Sequence, residues 1–191
     1  MSALPGPAFD PAPPGVELLE RSLAYTRAAL VTVGPQHLSL PTPCDHWRLG
    51  DLLAHMEDAL DAFGEGAGGA IDLHSQAPAP LELRIISLQE KACALLGGWL
   101  AARSPYVDVA GHPVAVDTIA RLAAVEITVH GWDVGRVTGH SVPVPDALAA
   151  ELLPTAVALA LDHPDGFGRP LPVPDTAGSG DRLLATLGRC P

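Results

Sequence analysis

The sequence predicts an all-α protein: a bundle of four long helices, then a shorter fifth helix and a Gly/Pro-rich tail. Three observations predict it. Hydrophobic residues make up 48% of the 191 positions, mostly Ala, Leu and Val, and Ala and Leu favour helix. Apolar residues recur at helical spacing in four separate stretches, while few windows show the period of two expected of a half-buried strand. Most joins between these stretches are short, which makes successive helices neighbours in a bundle.

A chain of this length suits one domain with a full-sized core. Residues 1–15, with five prolines, read as an extended arm, and residues 16–191 as a single bundle domain with its tail. The first helix is expected over 16–33, with Leu19, Leu23, Thr26 and Leu30 on one face and Gly34-Pro35 as its stop. The segment LSLPTPCDHW is a loop, and Trp47 anchors it to the second helix. Arg48 stands where a capping side chain is preferred, so Asp45 is the candidate cap.

The second helix, 48–63, has Leu49, Leu52, Leu53, Met56, Leu60 and Phe63 as its apolar stripe. His55 lies to one side, roughly 120° from the stripe's centre. Residues 64–80 are glycine-rich and read as a flexible connection, in which His74 is assigned no role. The third helix is expected over 81–103, with Leu83, Ile86, Leu88, Cys93, Leu96 and Leu100 as its apolar positions and Ser104-Pro105 as its end. Its Gly97-Gly98 pair weakens it or admits a close neighbour.

The fourth helix starts near Val116 and ends before Gly139. Ile119, Leu122, Ala123, Ile127, Val134 and Val137 mark its buried face. Glu126 and His130, one turn apart, stand in the middle of that face. Asp133 also faces inward, about 40° from Ile119, and Trp132 lies on the flank as a packing residue. Pro145-Asp146 opens a short fifth helix running through about Leu161, where Pro154 is a candidate kink. The tail closes with an apolar turn, DRLLATLGRCP. Phe167, Leu183, Leu184 and Leu187 are expected to pack back on the bundle, since exposed they would invite association.

The formal net charge of −11 speaks against a nucleic-acid partner, because phosphate binding runs on clustered Lys and Arg. Three cysteines, far apart and without a CxxC, make neither a disulfide framework nor a cysteine-based zinc site. The N-terminus lacks the n- and h-regions of a secretory signal. No uncharged apolar run reaches the roughly 18 residues of a membrane span. The expected address is cytoplasmic, with no membrane partner.

A buried carboxylate must be neutralised, ion-paired or metal-bound. Glu126 and His130 offer two ligands from the fourth helix, and His55 a third from the second. Such a His/Glu/His set leaves one coordination position open, as catalytic zinc sites do. The plain alternative is an ordinary i, i+4 pair on a helix surface. Asp133 is either the acceptor that holds a ligating histidine or an ion-pair partner of Arg136 or Arg121. No residue declares itself as a catalytic acid or base.

TPCDHWRLGDLLAHM, followed on a later helix by EITVHGWDVGRVTG, resembles the mycothiol-dependent maleylpyruvate isomerase N-terminal family, part of the DinB-like superfamily of metal-binding four-helix bundles. The matching positions are Trp47, Asp51, Leu52 and His55, then Glu126, His130, Trp132 and Asp133. The tail is similar to the ending of a short metal-binding subgroup, whereas the isomerases carry a second, C-terminal domain. The resemblance implies a DinB-like bundle holding a divalent metal, zinc before nickel, on His55, Glu126 and His130. It implies mycothiol as a thiol cofactor, a small-molecule substrate, and a transferase or isomerase using a metal-bound thiolate; it admits a homodimer. The competing expectation is a non-enzymatic metal-binding or partner-docking module, with Asp133 or His46 closing the coordination sphere. A third is a bundle that has lost its metal.

Overall fold

A computed structural model describes residues 13–44, 47–67, 80–102, 104–163 and 166–191. In chain order the elements are α1 (Pro14–Leu30), α2 (Leu49–Ala67), α3 (Leu81–Ala101), β1 (Tyr106–Val109), β2 (His112–Ala115), α4 (Val116–Thr138), α5 (Asp146–Asp162) and α6 (Ser179–Thr186). The four-helix bundle and the fifth helix lie where periodicity puts them. The fold is all-α apart from one hairpin.

α1 and α4 make the most extensive pair and run in the same direction. Near their starts, the Gly15 amide donates to Asp117 Oδ1 at 2.7 Å. Midway, Thr128 Oγ1 donates to Ser22 Oγ, and Thr26 Oγ1 to the Ile127 carbonyl. Near their ends, Thr32 Oγ1 donates to Thr138 Oγ1. The helices approach closely at Gly131, where an added Cβ would lie 2.2 Å from Thr26 Oγ1. No side chain but hydrogen fits there.

α2 and α3 are likewise parallel. Buried Glu57 accepts a hydrogen bond from Ser87, and Lys91 reaches both Glu57 (3.4 Å) and Asp61 (2.6 Å). The two pairs join where His55 of α2 meets Glu126 and His130 of α4. A single core joins all of these helices, from Leu18 and Leu19 through Leu52, Leu88, Ala123 and Leu152 to Leu183 and Leu187.

Several expectations need correction. α1 ends at Leu30, and the chain passes through a 3-10 turn at Pro35–His37. α2 runs on to Ala67, four residues past Phe63. On α3 the inward residues are Arg84, Leu88, Leu95 and Trp99, while Leu83, Ile86 and Leu100 face solvent. With leucines or isoleucines on both sides, that helix gives periodicity little to choose between. The hairpin was not expected: its four-residue strands pair Val109 with His112 across Ala110-Gly111, both at positive φ, too short for alternation to register. Pro154 sits within one continuous α5. The closing apolar segment is helical, as α6, and Leu183, Leu184 and Leu187 are buried, with Phe167 half-buried against the core. Asp45, His46 and His74 lie outside the described residues. Among the described residues no helix is long and apolar enough to cross a membrane.

Candidate metal centre

Glu126 and His130 project from the buried face of α4, and His55 reaches them from α2. One donor atom of each lies within 4.8 Å of the others. Glu126 Oε1 is the shared point, 2.5 Å from His55 Nε2 and 3.1 Å from His130 Nε2. The flanking angle of His55 is what lets it serve: its side chain stays 35% exposed while that of His130 is 3% exposed. The cluster therefore sits at the edge of the core with one side toward solvent.

His130 is the anchored member. Its Nδ1 lies 3.0 Å from Asp133 Oδ2, and Asp133 is fully buried. Asp133 is held in turn by Arg189, which donates from Nε to Oδ1 (3.3 Å) and from Nη2 to Oδ2 (2.8 Å). Arg189, near the end of the tail, is 1% exposed. Neither Arg136 nor Arg121 fills that role: Arg136 lies over the buried ring of Trp132, and Arg121 pairs with Asp117 at 2.7 Å.

Both ring nitrogens of His130 thus face carboxylates. Burial opposes its charge, but Glu126, and then Asp133, outweigh burial and raise its pKa to about 9. Burial likewise works against the Glu126 charge, and the two imidazoles overcome it, holding the carboxyl far below the ordinary range. A proton on His130 Nε2 satisfies this arrangement; so does a cation in its place, with Nδ1–H donating to Asp133. The second is the pattern by which a carboxylate fixes the tautomer of a ligating histidine. Tetrahedral zinc with bonds near 2.0 Å places its ligand atoms about 3.3 Å apart, so small side-chain movements open the cluster to that spacing. The donor set fits a divalent metal.

The walls come from the loop before α2 and from the tail. Trp47 packs on His55 with ring centroids 4.6 Å apart, and lies 6.1 Å from His130. Phe167 stacks on His130 at 5.9 Å and carries the Arg189 guanidinium on its ring at 5.2 Å. The loop is held by the Thr42 amide donating to the Trp47 carbonyl and by the Leu49 amide donating to that of Leu40. At the start of α2, the Arg48 amide donates to Asp51 Oδ2 at 3.0 Å, so a carboxylate three residues on supplies the cap. Half-buried Cys44 stands in the same loop. Burial pushes its thiol pKa up, and neighbouring Arg189 works against that shift.

A cavity of about 350 Å³ opens on the inner side, among α1, α2, α3 and α4. Its lining includes Glu126 and His130 together with Leu23, Met56, Leu88 and Leu96.

No protein-family model matches the sequence. The chain is 28% identical over 174 residues to uncharacterized proteins from two strains of Mycobacterium tuberculosis, spanning 85% of this chain and 90% of each relative. Among solved structures it is similar to mycothiol-dependent maleylpyruvate isomerase, with a TM-score of 0.59 and 16% identity, covering 75% of this chain and 67% of that one. A histidine-to-alanine mutant of the isomerase matches with the same TM-score at 15% identity. The likeness establishes that the two proteins share a fold.

Proposed function

We propose that the protein is a divalent-metal-binding bundle, its metal zinc before nickel, that works with a small-molecule thiol of the mycothiol type in a transferase or isomerase reaction. The observation that carries this reading is the convergence of His55, Glu126 and His130 on one point, with His130 fixed from behind by the buried Asp133–Arg189 pair. The likeness in fold to a mycothiol-dependent isomerase supports the choice of thiol. A divalent cation at that point would favour the thiolate form of a thiol presented to it.

The chain's own residues do the rest. His55, Glu126 and His130 hold the cation, and Asp133 keeps His130 in the tautomer that offers Nε2. Trp47 and Phe167 shield the imidazoles, while the exposed flank of His55 leaves an approach from solvent. Asp133 is already engaged by His130 and Arg189, which argues against its closing the coordination sphere as a fourth ligand.

The test begins with metal analysis of protein purified without chelator or affinity tag, followed by cobalt substitution. Adding mycothiol to the cobalt protein is expected to produce a thiolate-to-metal absorption band. Glu126→Gln should weaken metal retention and the band together, while Glu151→Ala, at an exposed surface pair, should change neither. A cobalt protein whose spectrum no thiol perturbs would instead favour a non-enzymatic metal-binding module.

A further inference from the structure

We infer that the co-substrate of this centre is an uncharged, largely apolar molecule about the size of a two-ring aromatic, held in the cavity behind Glu126 and His130. The inference rests on the metal-centre reading above and adds the class of molecule that the thiol meets.

The cavity's walls are Leu23, Leu30, Met56, Leu88, Leu96 and Ile127, with Glu126 and His130 among them. It exists because small residues stand where α1, α2 and α3 would otherwise close. Ala59 on α2 and Ala92 on α3 both line it, and a leucine at either place would occupy part of the space. An engineered apolar cavity of about 150 Å³ takes up benzene. At about 350 Å³ this one is more than twice as large, and within the range of small-molecule sites.

Its chemistry selects against charge. A carboxylate moved into such walls without a partner is strongly disfavoured. Among the described residues, the one cationic side chain of the lining outside the metal cluster, Arg27, is exposed. Glu20 lines the cavity as well, and the chain's net charge of −11 repels anions at longer range. Of the neutral polar side chains in the lining, Thr26 already donates to the Ile127 carbonyl and Gln89 stands among leucines and alanines, which is little for a strongly polar thiol to pair with. None of His55, Trp47 or Phe167 belongs to the lining. The thiol therefore comes from the His55 side and the apolar molecule from the cavity, and they meet at Glu126 and His130.

The experiment titrates the full-length, cobalt-loaded protein with 6-propionyl-2-(dimethylamino)naphthalene, a neutral two-ring probe whose emission shifts to the blue in apolar surroundings. Saturable one-to-one binding is expected, with a change in the cobalt visible spectrum on occupancy. Ala92→Phe should weaken the probe at least about tenfold by filling the space, and Ala92→Leu by less, both with cobalt content unchanged. Naphthalene should displace the probe, and the dianion maleate should not. Absence of saturable binding, insensitivity to both Ala92 variants, an unchanged cobalt spectrum on binding, or displacement by maleate as effective as by naphthalene would each overturn the inference. The thiol band is read separately. Probe binding without a thiol band leaves the cavity site standing and removes the thiol; a thiol band without probe binding does the reverse.

Discussion

At the scale of single residues, His130 is defined by what lies behind it. Asp133 and Arg189 are both buried, and breaking a buried ion pair from one side costs about 3–5 kcal/mol because the other charge is left unpaired. Asp133→Asn should therefore destabilise the protein strongly in chemical denaturation. Adding Arg189→Met removes the stranded charge and should restore most of that stability. Metal affinity should behave differently. With no carboxylate on Nδ1 it should stay reduced by about 10–100-fold in the double variant. A double variant restored in both respects would show that the pair serves packing alone.

The same residues mark how far the sequence could be read. Glu126, His130 and Asp133 announce themselves because one helix carries them and its period fixes their directions. Arg189 does not, since it meets Asp133 from 56 positions away through a segment without a long period. The available clue was slight: the closing apolar turn carries two arginines, Arg182 and Arg189, and nothing in its spacing says which of them turns inward. Trp47 was legible as an anchor of its loop; its contact with both imidazoles depends on the path of that loop.

At the scale of elements, the α1–α4 seam is the most specific contact. Gly131→Ala would push a methyl against Thr26 Oγ1, and such overpacking costs about 1–3 kcal/mol. The melting temperature should fall, and Thr26→Ala should return part of the loss by vacating the space. At the other end of the seam, Asp117 accepts from the Gly15 amide and from Arg121 Nε. Burial opposes its charge, but these partners prevail and hold its carboxyl below the ordinary value. A depressed carboxyl contributes stability above the unfolded pKa and loses it as pH falls through the folded one. Asp117→Asn should thus be less stable than the parent at pH 7. The gap should narrow below about pH 3.9, which parallel melts across that range would show. Long amphipathic helices were legible because four or five turns repeat the same pattern. The hairpin and the inward side of α3 were not, the first being too short and the second apolar on several sides.

At the scale of the whole molecule, the tail is part of the site. α6 packs on α5, where the Gly180 amide donates to Asp146 Oδ1, and from there the chain returns to place Arg189 under Asp133 and Phe167 on His130. The return depends on Gly188, which has φ +79° and whose added Cβ would lie 2.5 Å from the Gly168 backbone. A side chain there meets both a strained conformation and a backbone that cannot move aside. Gly188→Ala should lower the melting temperature and weaken metal binding together, because Arg189 is the next residue. Deleting residues 163–191 should go further. It uncovers the apolar surface beneath Leu183, Leu184 and Leu187, which favours aggregation, and leaves the Asp133 carboxylate buried without its arginine. In whatever fraction stays soluble, metal affinity should fall at least as far as in Arg189→Met. A truncated protein as soluble, as heat-stable and as firmly metal-bound as the full chain would mean that the tail only covers the bundle and has no part in setting its centre.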